Sequence, residues 1–489
     1  MSQNNPAPPE PRRWGMFAVL LVGSFLPPLD FFIVNVALPS IQGDLGTSSS
    51  AEQMVISSYA ALYAVTLITG GRLGDLFGRS RVFFLGLIGF TAASLLCGVA
   101  WSPWALIAGR ALQGITAAVM APQALASVQA IFPEAEKPLA LGLYGAVFGL
   151  ASVIGQALGG VLIALDLFGM GWRAVFLVNL PVAILVVLFG IPLLKRTGEQ
   201  GSGRQGWNKL DPGGMLLSML TLALLIVPLI EGREAGWPWW SWLSLAAAPL
   251  LARFFWRYES RLAQAGGTPL VDPAALRAPG LGRALLIALS FYSVASFFLL
   301  FSVYLQNALH FSALDAGLVF LPFGAGFLLG PLSTPYFRRH LGEWVNPIGM
   351  GLETAGFLGL AWLISATPDS MAPASTPLAV LLFFIGFGQG LGLPTLMKMI
   401  TGRMAPAYSG MIAGIASSTL QASTALSVAL IGGIFHTVLG GRDDPAAISH
   451  AFVVSALCIA FCLGAGVLLG MTLARRATAV STQGRVSGA

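Results

Sequence analysis

Apolar residues in this chain run in long blocks broken by short polar segments, without the strict alternation of a half-buried strand. A helix crossing the hydrocarbon core of a bilayer needs about 20 mainly apolar residues, and fourteen blocks meet that need. They lie at about 14–38, 52–73, 81–101, 103–128, 138–164 and 172–194, then 210–230 and 239–256, then 283–308, 312–337, 346–366, 375–400, 406–438 and 449–474. Backbone groups in lipid must be satisfied internally, and a barrel would be written as short alternating segments. The pattern therefore predicts an all-α polytopic membrane protein.

Composition agrees. Of 489 residues, 56% are hydrophobic and 9% charged, with a mean hydropathy of +0.79, whereas a soluble domain carries roughly 25% charged residues. A soluble enzyme and a disordered chain are both excluded. The net charge of +6 would suit nucleic acid only if it formed a basic face, but the basic residues sit between apolar blocks. With the N-terminus in the cytoplasm, of 26 Lys and Arg only Arg173, Arg233 and Arg442 fall outside, and Arg110 and Lys398 stay within spans. This inside-positive bias places both termini in the cytoplasm and predicts no nucleic-acid partner. The first block is too long for a signal-peptide core and is expected to be retained as a span.

Soluble-enzyme chemistry is missing. Cys97, Cys458 and Cys462 lie in apolar blocks and suggest neither disulfides nor metal spacing. His310, His340, His436 and His450 are scattered. No phosphate loop of the G-x-x-x-x-G-K-[ST] type occurs. No metal, nucleotide or other cofactor is expected.

The first and last six blocks read as distant copies. Gly145, Gly149 and Gln156 recur at the same spacing as Gly410, Gly414 and Gln421, and Gln113-Gly114 with Pro122 is echoed by Gln389-Gly390 with Pro394. Blocks seven and eight are flanked by the charged, glycine-rich stretches 197–209 and 259–268, read as loops. The expected organisation is a cytoplasmic tail at 1–13, a six-helix bundle at 14–200, a linker with two extra membrane helices at 201–282, a second six-helix bundle at 283–475 and a cytoplasmic tail at 476–489. Parallel six-helix repeats put a substrate site between the halves.

Several motifs then carry a resemblance. LDFFIVNVALP at 29–39, GRLGDLFGRSR at 71–81 (read as a loop between the second and third spans), RALQG at 110–114, GAVFGLASVIGQALGG at 145–160 and GWRAVFLVNLP at 171–181 occur in this order. Together they resemble the major facilitator superfamily, and within it the fourteen-span drug:proton antiporter family 2. FSALDAGLVFLP at 311–322 is a weaker match in the second half. The resemblance implies the major facilitator fold, with two six-helix bundles and an inserted helical hairpin. It also implies alternating access, a proton-coupling role for Arg110, and a conformational latch at Gly71, Asp75, Gly78, Arg79 and Arg81. The family pattern has Gly-Pro before its last Gly pair, where this chain has Gln156.

The residues themselves point the same way. Asp30 is an ionisable group in an apolar span, a functional candidate by default, and burial disfavours the charged form of a carboxyl, as a proton carrier needs. Pro27 and Pro28 precede it, so a kink or break is expected there. Asp30 lies ~24 Å and Arg110 ~20 Å above the inner face of the ~30 Å core, so they can meet, either as a switchable or as a constitutive pair. Glu353, ~10 Å into its span, is a second proton-site candidate, or else a structural glutamate. Lys398 either snorkels to the interface or pairs with Glu353 or an anionic substrate. Asp315 is a cap or gate at the mouth of its span.

Substrate-binding candidates are Phe31, Asn35, Tyr59, Tyr63, Gln113, Gln156, Tyr292, Gln306, Gln389 and Gln421, with interhelical bonding or packing as the alternative for each. The expected function is a proton-coupled antiporter exporting amphipathic hydrophobic compounds (drugs, dyes, toxic metabolites) across a bacterial cytoplasmic membrane. The alternative is an exporter of anionic amphiphiles or lipids. Its partners are then a small hydrophobic molecule, protons and the bilayer, and a monomer suffices.

Overall fold

The computed structural model describes residues 10–47, 49–133, 136–195, 210–278, 280–311, 313–367, 373, 375–401, 409–442 and 444–486. The apolar blocks become helices: α1 Glu10–Leu45, α2 Ser49–Phe77, α3 Arg79–Gly98, α4 Pro103–Ile131 and α5 Lys137–Leu165. Two 3-10 turns lead into α6 Ala174–Leu177 and α7 Asn179–Lys195, followed by α8 Pro212–Glu234, α9 Trp239–Gln264 and the short α10 Pro273–Leu276. The block at 283–308 is built in pieces, α11 Leu281–Phe291, α12 Ala295–Val303 and a π turn over Tyr304–Ala308. Then come α13 Ala313–Val319, α14 Leu321–Leu341, α15 Val345–Ser365, α16 Ser375–Thr401, α17 Ser409–Leu439 and α18 Pro445–Val486.

Among the described residues, eleven stretches are long and apolar enough to cross a membrane, one of them (Asp315–Ser365) running through both α14 and α15. No strand occurs among these residues. The chain is an all-helical membrane protein.

Three expectations are corrected. The segment 71–81 is not a loop: α2 continues to Phe77 and α3 starts at Arg79, with Gly78 alone between them. Gly78 has φ +94°, a conformation open to glycine, which lets one residue reverse the chain. Secondly, of the kink or break expected at Pro27 and Pro28, the break does not occur, because α1 is continuous there. Each proline deprives one carbonyl a turn earlier of its partner, a loss that membrane helices tolerate when neighbours compensate. Thirdly, the stretch 259–268 is largely helical, because α9 runs to Gln264. The companion stretch 197–209 lies outside the described residues.

The chain divides into two compact units, Met1–Ala140 with Leu150–Leu276 and Met404–Ser418, and Leu141–Gly149 with Arg277–Arg403 and Thr419–Ala489. The α8–α9 hairpin falls in the first, where α8 packs against α2. In the first unit α2 and α3 both pack on α4; in the second α14 and α15 both pack on α16. The sequence repeat is visible at these crossings. A β-carbon on Gly114 would strike the Tyr59 carbonyl of α2, and one on its repeat mate Gly390 would strike the Phe327 carbonyl of α14. Small residues permit such backbone approach.

At one end of the first unit, Trp172 Nε1 and Arg173 donate to Asp44 at 3.0 and 2.6 Å, and Arg173 also reaches the Ala100 carbonyl at 3.2 Å. These contacts tie the end of α1, the turn after α3 and the 3-10 turn before α6 together. The two donors hold the Asp44 carboxyl below its usual range, the Trp172 hydrogen bond foremost.

Candidate functional site

Helices α1, α2, α3, α4 and α7 converge on a polar cluster sealed inside the first unit. Asp30, Arg110, Gln113 and Asn179 are each 0% exposed, so every charge there must be answered by protein. Arg110 pairs through one terminal nitrogen with Asp30 Oδ2. The same nitrogen donates to Gln113 Oε1 at 2.9 Å, and Arg110 Nε to the Val55 carbonyl at 3.0 Å. Gln113 Nε2 donates to Asp30 Oδ1 at 3.0 Å and to Ser94 at 2.8 Å. Asn179 Nδ2 donates to Asp30 Oδ1 at 2.8 Å, and the Cys97 thiol to Gln113 Oε1 at 3.3 Å.

Aromatic rings wall this cluster. The Arg110 guanidinium lies 4.2 Å over the Tyr59 ring and 5.9 Å from that of Phe176, a favourable placement for a desolvated cation. The Tyr59 hydroxyl donates to the Pro27 carbonyl at 3.0 Å, fixing α2 to α1 beside the two prolines. Tyr59 stacks on Tyr63 with centroids 5.9 Å apart, and Phe31 lies 6.2 Å from Tyr59.

Phe31, Tyr59 and Tyr63 thus form one aromatic row. Asn35, exposed one turn further along, donates to the Phe31 carbonyl at 3.0 Å. Gln113 is committed to the Asp30 cluster rather than to an open surface. The Gln156 side chain lies outside those described. In the second unit Gln306 is half-buried and donates to Ser302 at 2.7 Å, Gln421 is half-buried, and Gln389 is buried with no hydrogen-bond partner at Oε1.

Glu353 on α15 is the mirror opposite of Asp30. It is fully buried, yet neither carboxyl oxygen has a hydrogen-bond partner. It sits where α15 crosses α16, close to Gly388, and near enough to Tyr292 for the two to interact electrostatically. Matching Gln389 to Gln113 puts Gly386 at the position equivalent to Arg110. The second half therefore holds a carboxyl but no matching guanidinium. An ionised group so placed would be an uncompensated buried charge costing several kcal/mol. The contemplated pairing of Lys398 with Glu353 is not formed; Lys398 is half-buried in the last turn of α16.

The residues of the 71–81 motif gather at the junction of α2 and α3. Asp75 Oδ2 accepts the backbone N–H of Met411 at 2.9 Å, in the first turn of α17. A carboxylate there answers both an unpaired amide and the positive end of the helix. Arg79 lies 3.4 Å from Asp75 Oδ1 and donates to the Ala126 carbonyl at 3.3 Å. Gly71 is buried and Arg81 exposed.

Sequence reasoning missed Asn179, Ser94 and Cys97 as members of the Asp30 cluster. The signal was present for Asn179, a lone amide in the apolar run VFLVNLP.

Comparison with known proteins follows this geometry. The sequence profile described as Major Facilitator Superfamily matches residues 20–428. The chain is 35% identical over 443 residues to a probable actinorhodin transporter of Streptomyces coelicolor, covering 89% of this chain and 74% of that one. It is 34% identical over 470 residues to the puromycin resistance protein pur8 of Streptomyces alboniger, covering 94% and 90%. The multidrug resistance protein Stp of Mycobacterium tuberculosis is 30% identical over 428 residues, covering 87% and 76%. Among solved structures, the human organic anion transporter MFSD10 (TETRAN) shares the fold with TM-score 0.64 and 18% identity, over 93% of this chain and all of that one.

Proposed function

Because the chain belongs to the Major Facilitator Superfamily and is therefore a transporter rather than an enzyme, we propose that it exports amphipathic hydrophobic compounds in exchange for protons. By their descriptions three of the relatives named above are a probable actinorhodin transporter, a puromycin resistance protein and a multidrug resistance protein, which supports the substrate class. The observation that carries the coupling is the buried Asp30–Arg110 pair, with Gln113 and Asn179 donating to the remaining carboxylate oxygen. A carboxylate whose every partner is supplied by protein exchanges its proton only when the shell rearranges, and that links proton movement to conformation.

In this reading protonation of Asp30 releases Arg110, whose guanidinium then keeps the Val55 carbonyl, Gln113 and the Tyr59 ring as partners. Glu353 is the second proton site. With neither carboxyl oxygen hydrogen-bonded among the described residues, Glu353 is carried through the membrane as the neutral acid and gives up its proton where water reaches it. The Tyr59–Tyr63–Phe31 row provides an apolar, polarizable face for a flat substrate. Asp75, Gly78 and Arg79 form the latch that sets the resting state. The chain crosses a bacterial cytoplasmic membrane fourteen times, with α8 and α9 inserted between six-helix halves and both termini inside, and works as a monomer by alternating access.

The test is export of a fluorescent dye by proteoliposomes under an imposed proton gradient. Gradient-driven export by the wild type and its loss in Asp30→Asn are expected. Gradient-driven export by Asp30→Asn at the wild-type rate would sink the assignment.

A further inference from the structure

The base of the α8–α9 hairpin holds two carboxyl groups that the transport core does not use. Asp211 caps α8: its Oδ1 accepts the Gly214 N–H at 2.8 Å and the Tyr258 hydroxyl at 2.9 Å. Glu259 lies on α9 beyond the apolar block that ends near 256, and it is fully buried. Its Oε2 accepts the Val271 N–H at 3.3 Å, while Asp211 Oδ2 accepts the Leu270 N–H at 3.4 Å. Glu259 Oε1 is left buried with no hydrogen-bond partner. It faces Asp211 Oδ2, because a β-carbon on Gly214 would strike both oxygens. Two buried carboxyls in such proximity do not both ionise, and one proton between them satisfies the orphaned oxygen.

The segment these carboxyls hold leads elsewhere. Next to Val271, the Asp272 N–H points at the Met411 sulfur at 3.4 Å, and the Met411 N–H is the donor to Asp75. The hairpin base, residues 270–272, the first turn of α17 and the α2–α3 junction form one chain of contacts within the first unit.

We infer that Asp211 and Glu259 form a proton-binding site, and that their shared proton clamps residues 270–272 and so backs the Met411–Asp75 contact. Loss of the proton sets two carboxylates against each other, frees 270–272 and weakens that contact. Burial, followed by the Asp211 charge, pushes Glu259 up to about 8, so the site titrates near neutrality. Tyr258 is raised too, by its hydrogen bond to Asp211 and then by burial. α2 carries Arg72 and Asp75, neither of which is among the groups that set the proton affinity of Glu259 or Tyr258. The contact from α17 is the uncharged Met411. The inference rests on the proposed function only in taking the Met411–Asp75 contact as part of the latch.

Hydrogen exchange on the full chain in lipid nanodiscs tests it, without substrate or gradient, so its failure leaves the antiport reading untouched. After correction for intrinsic chemistry, peptides covering 268–276 are expected to lose protection roughly tenfold per pH unit above about 8. Glu259→Gln, which keeps the neutral shape, and Asp211→Asn, which keeps the capping acceptor, are each expected to hold the low-pH protection throughout. Wild-type protection that does not change with pH, or the wild-type response persisting in either variant, would overturn the proposal.

Discussion

Asn179 donates to Asp30 Oδ1 at 2.8 Å, the same oxygen that Gln113 reaches at 3.0 Å, while Arg110 holds Oδ2. Both amides stabilise the ionised carboxylate, and a hydrogen bond to a charged group is worth about 1.5–3 kcal/mol. Asn179→Ala removes one of them and leaves Arg110 in place. The carboxylate then keeps one amide donor fewer, so gradient-driven export per folded molecule, measured in proteoliposomes at a fixed pH difference, is expected to fall severalfold. A merely structural Asn179 would lower the amount of folded protein and leave the rate per folded molecule unchanged.

Asp30→Asn and Arg110→Gln separate coupling from stability. Removing one partner of a buried pair costs about 3–5 kcal/mol, whereas replacing both can be nearly neutral. Each single variant is expected to unfold at lower temperature in detergent, and the double variant to recover much of that loss. Gradient-driven export stays absent in all three. Recovery of export along with stability in the double variant would mean the pair is only a brace.

Asp30 and Arg110 were legible in the sequence because a charge inside an apolar block is costly enough to be conspicuous, and the depths of the two blocks already matched. Asn179 was not singled out, although it lies in a quoted motif. Its block is apolar all round, so no stripe tells which side faces the bundle. In the sequence the junction at 71–81 and the stretch at 259–268 look like loops for one reason. Charge and glycine end an apolar block at the membrane surface whether or not the helix continues, and α2 and α9 both continue. Glu259 was hidden by that reading, since its partner Asp211 sits before the start of α8, on the other leg of the hairpin base, and no local spacing connects them.

Glu353 differs from Asp30 because neither of its carboxyl oxygens has a hydrogen-bond partner among the described residues. Glu353→Gln preserves volume and the neutral state, so thermal stability is expected to stay within about 1 kcal/mol of wild type or to rise slightly. The effect falls on the proton count instead: export should depend less steeply on the imposed pH difference. Measuring the substrate gradient reached at several fixed pH differences reads this directly. An unchanged slope would make Glu353 a structural residue.

The Asp75–Met411 contact is carried by a backbone donor, so it can be broken from either side. Asp75→Asn weakens the charge term, and Met411→Pro deletes the N–H in the first helical turn, where proline is tolerated. Each is expected to cost about 0.5–2 kcal/mol of the resting conformation, the range of a helix cap. Because they remove one interaction, the double variant should shift accessibility of a reporter cysteine little further than either single. Additive shifts would mean that Asp75 acts through Arg79 instead.

The Asp211–Glu259 pair also makes stability depend on pH, with a fixed sign. An ordinary glutamate releases its proton near 4.5, whereas Glu259 keeps it up to about 8. Between those values the folded chain holds a proton that the unfolded chain has lost, so the stability contribution is complete below about 4.5 and gone above about 8. Wild-type thermal stability in detergent should therefore decline as pH rises through that window. Other carboxylates, such as Asp44 with its lowered value, act at more acid pH and in the opposite direction, so the two effects separate along the pH axis. Glu259→Gln removes the ionisation and should flatten the decline between about 6 and 8, where the wild type still falls. Parallel curves for wild type and variant across that interval would show that the pair holds no proton in the folded state.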